Sequence, residues 1–340
     1  MLSWKFVGEG MTPPFPAVAP SMALRPARPW LVWVALWTVY IVWGSTYLAI
    51  RVTVETIPPL LSGGVRFFIA GAIMFLFLTW RRSWAEMRVS GRELLSSLLV
   101  GGLLVVGGNG LVSIAEIDVP SGLAALIIAS VPLWVALFRT LTRDRVAAGT
   151  VAGLALGFAG VAMLVIPGDR PGDAPLFGVL LLVGAAALWS SGSFLSTKLS
   201  LPADPFTSTA YQMLLGSALS LVIGIARGEA SDFQVDEFST SSIVGLSYLI
   251  VFGSWAAFTA YVWLLQHAPI SKVATYAYVN PVIAIFLGWW LVGEEITGVM
   301  LVGATVILAS VAYIVARESP AVGPKPKRLR KLELSRSARN

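Results

Sequence analysis

The chain has 340 residues, 56% hydrophobic and 12% charged, with a formal net charge of +6. A soluble domain carries about 25% charged residues, so this composition excludes a water-soluble globular protein and calls for a lipid bilayer as solvent. With no cysteine and one histidine, His267, disulfides, thiol nucleophiles, thiolate zinc sites and multi-histidine metal sites are excluded, and no cofactor or metal is expected.

Residues 1–29, with the proline-rich run "MTPPFPAVAP", lack an apolar stretch long enough for a signal peptide and are expected to be a flexible cytoplasmic segment. A helix needs about 20 apolar residues to cross the hydrocarbon core. Breaking the sequence at proline, glycine and charge clusters predicts ten such spans, near 30–50, 58–80, 93–115, 119–139, 149–167, 176–198, 205–227, 241–265, 270–292 and 297–316. The fold class is thus an all-α integral membrane protein. The connections are short, so neighbouring spans form antiparallel hairpins. "IPP" (Ile57 to Pro59) and "DVP" (Asp118 to Pro120) mark two of the turns, where proline suits a helix start. Residues 317–340 form a basic, apolar-poor tail that reads as a solvated charge run against cytoplasm and anionic lipid rather than a nucleic-acid site.

An even number of spans puts both termini on one side. Arg25, Arg28, Arg81, Arg82, Arg88, Arg92, Arg139, Arg143, Arg145, Lys198, Lys272 and the tail share that side. The other side carries Arg51, Arg170 and Arg227 among eleven carboxylates, including Glu116, Asp118, Asp169, Asp173, Glu229, Glu294 and Glu295. The positive-inside rule places both termini in the cytoplasm.

The sequence repeats. "YIVWGSTYLAIRV" (Tyr40 to Val52) is echoed by "ALWSSGSFLSTKL" (Ala187 to Leu199), "PPLLSGGVRFFIAG" (Pro58 to Gly71) by "DPFTSTAYQMLLGS" (Asp204 to Ser217), and "VPSGLAALIIASVP" (Val119 to Pro132) by "APISKVATYAYVNP" (Ala268 to Pro281). This gives two repeats, 30–167 and 176–316, of five spans each. Five is odd, so the second copy enters the membrane inverted, a device for alternating access that also occurs in channels.

The motifs "WGSTYLAIRV", "SGGVRFFIAG", "GNGLVSIAE", "VPSGLAALI" and "YAYVNPV…GE" resemble the ten-helix EamA branch of the drug/metabolite transporter superfamily, over roughly Trp30 to Ala316. The resemblance implies two inverted five-helix repeats around a central cavity, with the fifth helix of each set apart from it. It also implies bacterial inner-membrane export of small metabolites, with amino acids, aromatic ones included, as the typical cargo. Asp144 departs from the glutamate such proteins often carry.

A polar group inside hydrocarbon must be hydrogen-bonded or face water, so deep polar residues are candidate cavity residues. In the first span these are Trp43, Ser45 and Tyr47, while Trp33 and Trp37 fit an interfacial belt. The second repeat answers with Trp189, Ser191, Ser193 and Phe194. The eighth span offers Ser254, Phe258 and Tyr261, and the ninth Thr275, Tyr276 and Asn280. Asn109, within "GGNG", reads equally as a helix-packing hydrogen-bonder or a ligand contact. Pro132 and Pro281 each remove a backbone donor at membrane depth, as hinges or as tolerated kinks. Arg66 lies inside the second span, where arginine pairs or faces water. It either meets a substrate carboxylate or snorkels outward, with Glu116 or a backbone carbonyl as its expected partner.

Gly149, Gly153, Gly157 and Gly160 in the fifth span are expected to meet Gly298, Gly303 and Ala304 in the tenth, with a homodimer contact as the alternative. Carboxylates fall at or beyond the span ends, Glu116 being nearest to an exception, and His267 reads as an interface residue. Transport without obligate proton coupling is therefore expected. Small-molecule cargo and the bilayer are the expected partners, and nothing in the sequence demands an oligomer. Broad drug or nucleotide export is the alternative cargo class and favours more cationic residues than Arg66. A lipid-acting enzyme lacks a nucleophile–base pair, a metal cluster or a phosphate loop, and a membrane scaffold leaves the repeat and the buried polar groups unexplained.

Overall fold

A computed structural model describes residues 28–142, 148–165, 174–268, 270–273 and 275–318. The N-terminal segment to residue 27, the tail from 319, Arg143, Asp144, Arg145, Asp169, Arg170, Asp173 and Pro269 lie outside the described residues. The described residues are helical with no strand. In chain order we label α1 (Pro29–Thr53), α2 (Pro59–Arg81), α3 (Gly91–Ala115), α4 (Ser121–Leu141), α5 (Ala148–Val165), α6 (Leu176–Ser196), α7 (Pro205–Ala226), α8 (Thr240–Tyr248 continuing through Ala257–His267), α9 (Tyr276–Val292) and α10 (Gly298–Glu318).

Among the described residues, seven stretches are long and apolar enough to cross a membrane: α1, α2, α3, α4, α6, α7 and Thr240–Tyr261 of α8. Shorter apolar helices, Gly149–Val165, Tyr276–Val292 and Gly298–Ile314, stand where the sequence predicts further spans. The predicted ninth span is divided: a turn of helix, Ile270–Val273, precedes α9.

Local chemistry explains the starts. Proline opens α1, α2 and α7 at a position where its missing N–H costs nothing. Ser90 and Glu93 cap the start of α3 reciprocally. Asp204 Oδ2 accepts from Thr207 N at 2.8 Å to cap α7.

Helix α2 lies along α7, and α5 along α10. Helix α1 packs against α8 and α9, while α6 packs against α3 and α4, so each half reaches across to the other with the same partners. The predicted glycine contact between α5 and α10 is present in part: it runs through Gly160 and Gly303, while nothing lies within 4 Å of a methyl on Gly298. A methyl on Gly160 would stand 2.9 Å from Ile307, and one on Gly303 2.7 Å from Leu164. Gly157 instead faces Leu133 of α4.

Two departures from regular helix were not expected. Gly102–Gly110 in α3 and Leu249–Ala256 in α8 are π-helical. They start 147 residues apart (249 − 102), within the offset of the sequence repeat. A π segment leaves some carbonyls without their usual donor and is common at functional sites.

A second repeated device closes one end of the bundle. Gly228 and Gly293 hold φ of +88° and +71°, a left-handed conformation that glycine adopts without strain. Each turns the chain so that the following glutamate reaches a helix start in the other half. Glu229 Oε2 accepts from Leu60 N and Leu61 N at 2.9 and 3.0 Å, capping α2. Glu294 accepts from Ser121 N and Gly122 N at 2.7 and 2.9 Å, capping α4. A carboxylate at a helix N-terminus satisfies orphan donors and opposes the helix dipole. Glu229→Ala will cost about 1–2 kcal/mol of stability, read as a lower melting temperature in detergent, whereas the same change at exposed Glu237 will leave it unaltered.

At the other end of the α2–α7 pair, Arg82 bridges Asp204 at 2.9 Å. Burial pushes the Asp204 carboxyl up, but hydrogen bonds from Arg82 and Thr207 outweigh it and hold the carboxyl below its ordinary value. A carboxyl lowered in the folded state stabilises above its ordinary pKa and loses that contribution as pH falls through the folded value. Both side chains are about a third exposed, so the bridge contributes at most about 1 kcal/mol. Asp204→Asn will therefore lower stability slightly at pH 7 and by a smaller margin below about pH 4, measurable in melting curves across that range.

Candidate functional site

The sequence-predicted residues fall into groups. The tightest lies where α1 meets α8 and α9. Trp43, Tyr261 and Tyr276 form a triangle of rings with centroids 5.1, 5.2 and 5.7 Å apart. Asn280 is buried beside them in α9 with its amide facing two carbonyls, and in the orientation that satisfies both it donates to Tyr276 O at 3.2 Å and Tyr40 O at 3.3 Å. The Tyr40 hydroxyl in turn bonds the Thr275 hydroxyl. Close approach of α1 to α9 is set by Gly44, where a methyl would stand 2.8 Å from Ile283 and 3.1 Å from Asn280 O.

The indole of Trp43 ties this group to the next. Its Nε1–H donates to Gly253 O in the π segment of α8 at 3.1 Å. A methyl on Gly253 would stand 3.3 Å from Arg66 Nη2. Arg66 is buried and donates from Nε to Ser254 Oγ at 2.9 Å, with its guanidinium carbon 4.6 Å from the Phe67 ring centre. Sequence reasoning expected Glu116 or a carbonyl as its partner, and the partner is the Ser254 hydroxyl. Arg66, Ser62, Ser113 and Thr53, together with the apolar Ile50, Val54 and Leu249, line a cavity of about 10 Å³, room for about one water.

The other predicted residues stand elsewhere. Ser45 meets the Tyr248 hydroxyl at 2.6 Å. Tyr47 packs into the large apolar cluster that includes Ile50 and Ala124. Asn109 donates to Leu104 O at 3.2 Å and so repairs the π segment of its own helix. Trp189 covers Gly108 of that segment so closely that a methyl there would stand 2.4 Å from the ring. Trp43 and Trp189, at matching positions of the two repeats, each meet the π segment of the opposite half, but differently: Trp43 through a hydrogen bond to the Gly253 carbonyl, Trp189 by covering Gly108 with its ring. Ser193 is half-buried in α6, and its carbonyl accepts from Ser196 Oγ at 2.7 Å.

Pro132 and Pro281 differ. Helix α4 is interrupted between Ile128 and Val131, just before Pro132, and Ser190 Oγ of α6 donates to the Val131 carbonyl at 3.0 Å. Pro281 sits inside continuous α9, and the nearest interruption is the turn at Thr275. His267 stacks on Trp263 with centroids 4.2 Å apart, and its Nδ1 meets the Trp263 carbonyl at 2.7 Å, a packed residue. Trp33 and Trp37 are half-exposed, and Lys272 lies over the Trp33 ring at 3.9 Å. Among the described residues, no group of three or more metal-ligating side chains forms.

What sequence reasoning missed are the acidic residues. Glu229 and Glu294 counted there only as loop charge. The signal was present in the "GE" dipeptide that follows both α7 and α9.

Comparison with known proteins places this architecture. The EamA-like transporter family matches the chain twice, over residues 29–166 and 176–316. The uncharacterized inner membrane transporter YedA of Escherichia coli strain K12 is 36% identical over 281 residues, 82% of this chain and 89% of that protein. The uncharacterized transporter YvbV of Bacillus subtilis is 28% identical over 84% of this chain and 93% of its own. A crystal structure with 21% identity superposes at a TM-score of 0.58, covering 85% of this chain and 98% of that one, which shows a shared fold. Multi-pass, apolar and matched over most of its length, the chain belongs to the EamA-like transporter family of the drug/metabolite transporter superfamily.

Proposed function

We propose that this protein exports amino acids, aromatic and apolar ones included, and related small metabolites across the bacterial inner membrane by alternating access. Ten helices form two inverted five-helix halves, 30–167 and 176–316, with both termini cytoplasmic. The observation that carries the cargo reading is the ring triangle of Trp43, Tyr261 and Tyr276 next to the buried Arg66–Ser254 pair. Rings take up an apolar or aromatic side chain by stacking, and a guanidinium suits a carboxylate. In this conformation the rings pack on one another, so the pocket is closed until the halves move.

The paired π segments, the matching helix packing across the halves and the double family match support two equivalent halves. The interruption of α4 before Pro132 supplies a bending point. Cargo flux down its own gradient requires no proton gradient.

Uptake of labelled amino acids into proteoliposomes holding the purified protein tests this. Trp43→Ala and Asn280→Ala will each lower uptake about tenfold or more, the loss of one ring contact or polar anchor at about 1.4 kcal/mol per decade. Collapsing the pH gradient will leave downhill uptake intact. Unchanged flux in both variants for every transported substrate rejects the pocket.

A further inference from the structure

Glu116 has no place in that account, and its setting is unusual. It follows α3 directly and is fully buried, at 0% exposure. Neither carboxyl oxygen has a hydrogen-bond partner among the described residues. The guanidinium of Arg51 lies near but donates to the backbone carbonyls of Glu116 and Ile117. Arg66 donates from Nε to Ser254, and none of its N–H groups reaches the Glu116 carboxyl. The ionisable groups that face the carboxyl are Tyr47 and Arg51 from α1, Arg66 from α2 and Glu294 from the segment after α9, whose carboxylate is committed to the start of α4. The Arg51 backbone N–H also faces it without reaching hydrogen-bond geometry. The Ser121 hydroxyl, on the residue whose N–H donates to Glu294, is likewise buried with no partner among the described residues.

A buried carboxylate with no hydrogen bond is costly, and a neutral carboxylic acid in the same place is far less so. The cluster also has a mechanical location. It lies beneath the end that Glu229 and Glu294 close by capping α2 and α4. Opening that end exposes Glu116 to solvent, where it ionises. Ionised beside Glu294, it resists returning.

We propose that Glu116 is a proton-binding site that holds this end of the transporter shut: the carboxyl carries a proton in the closed state and releases it to the same side when the end opens. The proton enters and leaves at one face, so it gates the transporter without being carried across. The site stands on burial and geometry alone. Its link to opening rests on the alternating-access reading above.

Two measurements separate those parts. Infrared spectra of the full-length protein in lipid will show the carbonyl stretch of a protonated carboxylic acid at pH 7 that is missing from Glu116→Gln. Absence of any such Glu116-dependent band means the group is ionised and overturns the site. The chain has no cysteine, so Ala115→Cys, buried in the closed end, gives a single label for a membrane-impermeant thiol reagent. Dividing the labelling rate by that of the same variant carrying Glu116→Gln removes the reagent's own pH dependence. The ratio will rise with pH by up to about tenfold per unit, the slope of a one-proton equilibrium. Glu116→Asp, which keeps the titrating group, will retain the rise. A flat ratio in a protein whose labelling still responds to transported amino acid overturns proton gating and leaves alternating access standing. Labelling that never changes under any condition overturns both.

Discussion

Replacing Gly101 with alanine will leave little correctly folded protein. The new methyl would stand 2.3 Å from Gln212 O and 3.0 Å from Gln212 C, both backbone atoms of α7. The contact is reciprocal, since a methyl on Gly216 of α7 would stand 2.5 Å from Gly101 O. No side chain can rotate away, so α3 and α7 must separate along their crossing. In a membrane, helix association rests on close van der Waals fit, because lipid tails are as apolar as the side chains. Overpacking of this kind costs about 1–3 kcal/mol in adaptable sites, and a backbone-to-backbone clash falls at or above the upper end. Gly63→Ala is the control, because nothing lies within 4 Å of its added methyl. Melting followed by size-exclusion recovery in detergent will show a large drop for Gly101→Ala and for Gly216→Ala, and none for Gly63→Ala. Equal behaviour of Gly101→Ala and Gly63→Ala contradicts the packing described here.

The largest effect on transport is expected at Arg66. Among the described residues its Nε–H bonds Ser254, while the side chain lines the small cavity beside Ser62, Ser113 and Thr53. Its remaining donors suit a carboxylate held in two-point geometry. Losing a hydrogen bond to a charged group costs about 1.5–3 kcal/mol, or about 10- to 100-fold in affinity. Arg66→Gln will lower uptake of carboxylate-bearing amino acids by that factor and leave the esterified analogues little changed. A purely structural arginine gives a different result: acid and ester fall together, with a loss of melting temperature. Ser254→Ala will reproduce a smaller part of the effect, because it frees the guanidinium without removing it.

The spans were readable because a bilayer leaves so little choice. Apolar runs between proline, glycine and charge are what a transmembrane helix requires, and the described helix starts at Pro29, Pro59 and Pro205 coincide with those marks. The glycines of the fifth span were readable for the same reason, since four-residue spacing allows close helix contact. The Trp43 ring triangle was readable only in part. Trp43, Tyr261, Tyr276 and Asn280 come together, but Tyr47 and Ser45 turn to other neighbours. Sequence spacing fixes which helical face a residue occupies, not which neighbour that face meets.

The π segments were not legible at all. They depend on hydrogen-bond register within a helix that reads as ordinary apolar sequence, although "GGNG" marked one of them. The acidic closures were hidden for another reason. Glu229 bonds Leu60, 169 residues away, and Glu294 bonds Ser121, 173 away. A carboxylate beyond a span end looks like loop charge until the other half is in place. Arg66 shows the same limit, with its partner Ser254 lying 188 residues on.

The central claim, that equivalent halves face opposite ways, is tested most directly by sidedness. The cysteine-free chain accepts single cysteines at exposed Glu55 and exposed Ala203, which sit in matching loops of the two repeats. A membrane-impermeant maleimide applied to intact cells with the outer membrane permeabilised will label Glu55→Cys and spare Ala203→Cys, and inside-out vesicles will give the reverse. Labelling of both from the same face contradicts the inverted arrangement and the alternating access built on it.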